Sequence, residues 1–155
     1  MENQLSEVLD NLLGLLLSEG AYEIGKDENG INVVITTEDA GRLIGTGGEF
    51  LEALQLIVSQ IFTKKMGKFE RIIIDVSGWR KQREEDLKIM VQDWAKQVLD
   101  SGQGFDLEPM NPWQRRVVHL AVQEVEGVES ESVGEGRDRH IVIKPAGKKT
   151  KQIKK

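Results

Sequence analysis

The stretch GRLIGTGGEF, from Gly41 to Phe50, holds four glycines within eight residues and runs directly into an apolar segment with helical spacing. Glycines gathered at a helix start let the backbone approach something closely. That something is a nucleotide phosphate, a nucleic-acid backbone or another part of the protein. The nucleotide readings fail on the residues. A phosphate loop of the form G-x-x-x-x-G-K-[ST] needs a lysine that is missing here. A G-x-G-x-x-G fingerprint starting at Gly45 needs glycine where Phe50 stands. Both also require a strand just before the loop, whereas EDAGRLI reads as a helical turn.

Working outward, Leu5, Val8, Leu9, Leu12, Leu13 and Leu16 predict an amphipathic helix that stops by Gly20. AYEIGKDENGINVVITT predicts two strands joined at Asn29-Gly30. A short helix starting near Thr37 leads into the glycines. Beyond them, Phe50, Leu51, Leu54, Ile57, Val58 and Ile61 keep helical spacing until Gly67, and FERIIIDV reads as a buried strand.

Residues 79 to 100 predict a long helix with Leu87, Met90, Val91, Trp94 and Val98 on one face, broken by SGQGFDLEP. Asn111-Pro112 opens another, with Asn as N-cap, Pro in the first turn and Gln114 in a capping-box-like position. Two strands around a glycine turn follow in ESVGEGRDRHIVIKP, and GKKTKQIKK is a basic tail expected to be disordered. The fold class is therefore α+β, with units at 1–78 and 79–146 and a tail at 147–155.

The remaining motif, Gly45-Thr46-Gly47-Gly48, is a G-x-x-G between two helices. In this order of elements it resembles the type II KH domain, whose loop clamps a nucleic-acid backbone. Glycines there remove side chains that hold a phosphate away, and the following helix N-terminus offers free N–H groups. The resemblance assigns RNA contact to Arg42, Gly45, Thr46, Gly47 and Gly48. One departure stands out: such loops commonly carry a basic residue between the outer glycines, and Glu49 follows directly here. The bland alternative is a tight inter-helix turn or a dimer contact.

The second signal is MNPWQRRVVHLAV. On a helical wheel Trp113, Val117, Leu120 and Ala121 share one side, widened by Val118 and Val125. Arg115, Arg116, His119 and Gln123 share the polar sector. Arginine brings a planar donor fork and histidine a second donor, a pairing suited to phosphate. This helix and its closing strand are similar to the small single-stranded nucleic-acid-binding domain named for its R-x-x-x-H motif, with Arg137 and Arg139 extending the surface. Arg80 with Glu84 and Lys81 with Glu85 read as i, i+4 pairs on the long helix.

A KH domain followed by an R-x-x-x-H domain resembles the bacterial Jag family, the SpoIIIJ-associated proteins, over residues 1 to 146. Many members carry a further N-terminal domain, so the chain reads as a short or truncated form. The resemblance implies a cytoplasmic protein that binds single-stranded RNA, or single-stranded DNA. It further implies post-transcriptional regulation linked to cell elongation or division. Implied partners are a small KH-only protein, or a second copy as homodimer. The alternative is a protein–protein adaptor near the membrane insertase, with little direct RNA binding.

Composition narrows these readings. No apolar run approaches the roughly 20 residues of a membrane span, so no membrane insertion is expected. The chain has no cysteine, which removes disulfides and thiolate chemistry. Two histidines and no H-E-x-x-H or G-x-S-x-G motif leave no catalytic set, metal site or cofactor to propose. Net charge is −5, but binding depends on clustering rather than the mean. Residues 1–78 carry 6 Lys and Arg against 13 Asp and Glu; residues 79–155 carry 15 against 13. A basic surface is therefore expected mainly in the second half.

Overall fold

The spacing of leucines in α1 (Glu2–Leu15) buries Leu5, Val8, Leu9 and Leu13 along one side. The helix ends before Gly20 because Leu17 takes φ 53, letting Leu17 and Ser18 donate back to Gly14 and Leu13. A leucine rarely adopts that conformation, so the sequence points to the later glycine instead. This computed structural model describes residues 1–147. The basic tail expected from 147 therefore lies, past Gly147, outside the described residues.

Strands β1 (Ala21–Asp27) and β2 (Gly30–Thr36) form an antiparallel hairpin in register from Ala21↔Thr36 to Asp27↔Gly30. Asp27 holds its turn by accepting from the Asn29 backbone N–H and the Asn32 amide, each at 2.7 Å, an Asx turn. Next come α2 (Ala40–Ile44), a 3-10 turn at Thr46–Gly48, and α3 (Glu49–Met66). This helical crossover returns the chain to β3 (Ile72–Val76), parallel to β2. The sheet order is β1-β2-β3. Ile31, Val33 and Ile35 with Ile72, Ile74 and Val76 point to one buried core against α1 and α3.

The second set of elements begins with α4 (Trp79–Ser101), whose Leu87, Val91, Ala95 and Val98 are buried. Short β4 (Phe105–Asp106), α5 (Pro112–Gln123), β5 (Val128–Val133) and β6 (His140–Pro145) complete it. The sheet order is β4-β6-β5, antiparallel throughout. Two compact units result, Met1–Arg80 and Lys81 onward, each with its own core. The architecture is α+β: helices on two small three-stranded sheets. Among the described residues, no helix is long and apolar enough to cross a membrane.

Candidate nucleic-acid interface

In the second unit the site begins with the start of α5. Asn111 accepts from the Gln114 backbone N–H at 2.8 Å, which sets the helix entry. Gln114 does not reach back as a capping-box partner. Its side chain is 1% exposed and accepts from Arg83 Nε at 3.0 Å. Leu120, assigned to the apolar side by the wheel, is instead 51% exposed. Gln114, Val117, Val118, Ala121 and Val122 form the buried side. The apolar stripe is thus rotated towards Gln114 and away from Leu120.

That rotation leaves Arg115 and His119, one turn apart, on a common face. Arg115 Nη1 donates to the Met110 carbonyl at 2.6 Å, which holds the guanidinium beside the helix start. His119 Nδ1 lies 2.7 Å from Ser130 Oγ, and Gln123 Nε2 lies 3.2 Å from His119 Nε2. With the Gln123 amide as donor, the imidazole carries its proton on Nδ1 and donates it to Ser130. Arg139 Nε donates to Ser132 Oγ at 2.7 Å.

Ser130 and Ser132 are two apart on β5 and lie opposite Ile143 and Ile141. Directly opposed residues share a sheet face, and those isoleucines are buried in the core. Both serines therefore stand on the α5 side of an edge strand, and from there they hold His119 and Arg139 in a row. The opposite face is charged differently: Lys144 pairs with Glu131 at 2.6 Å and Glu129 at 3.7 Å. Arg116 and Arg137 lie nearby in the fold's own order, Arg116 on α5 and Arg137 exposed in the 3-10 turn Gly136–Asp138. The two serines and Gln123 carry most of the positioning. The sequence marks Ser130 and Ser132 only by their alternation with glutamates.

In the first unit the glycine loop is built differently from the sequence reading. Gly45, Gly47 and Gly48 all have positive φ. A Cβ on Gly45 falls 2.7 Å from that of Phe50, and one on Gly48 falls 2.7 Å from Trp79 Cζ3. Only at Gly47 does a Cβ meet open space. Two of these three glycines are thus demanded by packing within the unit. Arg42 donates to Asp39 at 3.0 Å and to the Leu16 carbonyl, so its guanidinium is drawn toward α1. Glu49 and Glu52 occupy the first turn of α3.

Arg80, expected to pair with Glu84, turns into its own unit. It donates to the Ile74 carbonyl at 2.9 Å and to Gln55 at 3.0 Å. Burial draws its guanidinium below the ordinary value, opposed by Asp75 and Glu52. Glu84 pairs with Lys88 at 3.3 Å.

Comparison with known proteins fits this division. Residues 85–145 match the family of R-x-x-x-H domains, so the second unit carries such a domain. The chain is also homologous to proteins named RNA-binding protein KhpB. That of Clostridium symbiosum is 35% identical over 123 residues, 79% of this chain and 55% of the relative. That of Bacillus subtilis strain 168 is 32% identical over 111 residues, 70% of this chain and 53% of the relative. That of Streptococcus pneumoniae serotype 2 is 31% identical over 113 residues, 73% and 34%. The chain spans about half the length, or less, of these curated relatives.

Proposed function

We propose that the chain binds single-stranded RNA, with the R-x-x-x-H unit as its principal site and a type II KH unit as the second. The row of Arg115, His119 and Arg139, set by Ser130 and Ser132, carries this reading. Several donors on one face suit successive phosphates of a flexible strand. The domain match and the relatives' name, RNA-binding protein KhpB, support it. The order helix, strand, strand, helix, glycine turn, helix, strand supports the KH assignment. A regulatory role in the cytoplasm, tied to cell elongation or division, follows from the family resemblance, as does a small KH-only partner.

Titration of labelled single-stranded RNA against salt tests this reading. Binding through phosphates gives a log–log slope of about −0.7 per contact. Arg115→Ala with His119→Ala abolishes most of the affinity while the fold melts normally. Absence of binding at low salt sinks the proposal. A second reading has its own support: α3 exposes Phe50, Ile57 and Ile61 along one side, starting at the glycine loop. In that reading the loop end meets protein. Thr46→Asp with Gly47→Asp then changes oligomeric state and leaves RNA affinity intact.

A further inference from the structure

Of the six lysines and arginines in residues 1–78, Lys64, Lys65, Lys68 and Arg71 fall within eight residues. A fifth, Lys26, reaches the same place, 3.9 Å from Glu70. The sixth, Arg42, is the one beside the glycine loop, and it is drawn toward Asp39 and Leu16. The cations of this acidic unit thus gather at the C-terminal end of α3. That helix has 18 residues, so about 27 Å separate its ends. Among them stands Phe69, 77% exposed.

The segment that presents Phe69 is fixed at both ends. Gly67 closes α3 in the left-handed region and donates to the Thr63 carbonyl at 2.9 Å. Two residues past Phe69, the Arg71 carbonyl accepts from Ile31 N–H at 2.8 Å, and Gly30 leaves room for it. Glu70 is bracketed by Lys68 at 3.0 Å and Lys26, and the Lys68 hydrogen bond and the Lys26 charge hold its carboxyl below the ordinary range. Lys65 pairs with Glu7 at 2.9 Å. Exposed pairs of this kind are weak, so these ammonium groups can move to a phosphate at little cost. Lys64 and Arg71 are exposed as well.

An exposed ring among cations matches how single strands are held without sequence readout: the charges follow the backbone and a base stacks on the ring. Phe69 is the only large apolar side chain exposed in residues 63–71. One ring suits one base better than it suits insertion into a lipid surface, which draws on a broader apolar face. We infer that Lys64, Lys65, Lys68 and Arg71 with Phe69 form a further single-stranded nucleic-acid site, placed at the end of α3 away from the glycine loop. It rests on the RNA-binding reading above and enlarges it.

The test uses the full chain and a short labelled oligouridine. Phe69→Leu keeps apolar bulk and removes stacking; it lowers affinity roughly 5- to 100-fold. Phe69→Tyr restores it. Lys64→Ala with Lys68→Ala makes the salt slope shallower by about 1.4. Ultraviolet cross-links map to the peptide containing Phe69. Unchanged affinity and slope in these variants, with Arg115→Ala/His119→Ala still destroying binding, overturn this site and leave the R-x-x-x-H reading standing. Loss only of cosedimentation with anionic vesicles also overturns it, making the patch a lipid contact. A wild-type chain that binds no RNA overturns both readings.

Discussion

Gly47 and Gly48 are neighbours with φ 61 and φ 84, but they answer to different demands. Replacing either by alanine forces a side chain into the left-handed region, at about 1–2 kcal/mol. Gly48→Ala also drives a methyl into the Trp79 ring, adding about 1–3 kcal/mol of overpacking. Gly48→Ala therefore lowers the urea midpoint of the first unit clearly more than Gly47→Ala. Equal midpoints would refute the role given to Trp79. For RNA binding the consequence is that Gly47, not Gly48, is the place to perturb the loop without disturbing the fold. Arg80 offers a related lesson. It and Gln55 cover the N–H and carbonyl of Ile74 on the outer side of edge strand β3, where an unpaired strand would otherwise invite another. Arg80→Met strips that carbonyl of its partner and costs about 1–3 kcal/mol, read as a drop in unfolding free energy.

At the level of elements, helices and hairpin were legible because their signals are local. Leucine spacing marked α1, Asn29-Gly30 the hairpin, and Asn111-Pro112 the start of α5. What the sequence hid depends on partners distant in the chain. Strand β4 is two residues long and exists through pairing of Phe105 and Asp106 with β6. Gln114 is buried only because Arg83, 31 residues earlier, meets it. In the candidate site, Arg115 and His119 were legible by spacing, while the serines that hold His119 and Arg139 were not, since their role depends on strand register. Strand β6 also carries a titratable clasp. His140 lies 2.8 Å from the Asp138 carbonyl through Nδ1 and 3.3 Å from Asp106 through Nε2. Both contacts are hydrogen bonds donated by the imidazole only when it is protonated. The Asp138 carbonyl chiefly raises its pKa above the ordinary 6.5, burial opposes, and Asp106 adds to the rise. A raised folded value means the stabilisation is full below about pH 6.5 and fades as pH climbs through the folded value. Denaturation midpoints of the second unit therefore fall across that window. In His140→Gln the fall disappears; a wild-type midpoint indifferent to pH there would contradict the clasp.

On the scale of the whole chain, charge and fold divide the work unevenly. The first unit places Glu49 and Glu52 at its glycine loop and its lysines at the far end of α3; the second gathers Arg115, His119 and Arg139 on one face. A short strand that reaches only one site gains from that site alone. A strand long enough to touch both units makes the second contact intramolecular, and affinity rises by roughly 10²–10⁴ without any new kind of contact. Titration with single strands of increasing length accordingly shows a low plateau, then a step. The low plateau vanishes in Arg115→Ala/His119→Ala, because the R-x-x-x-H row supplies the first contact. The step alone vanishes in Phe69→Leu with Lys64→Ala and Lys68→Ala. The salt slope steepens at the step, by about 0.7 for each phosphate newly engaged. A smooth rise with length and constant slope would mean that one unit holds the strand alone, whatever the charge of the other.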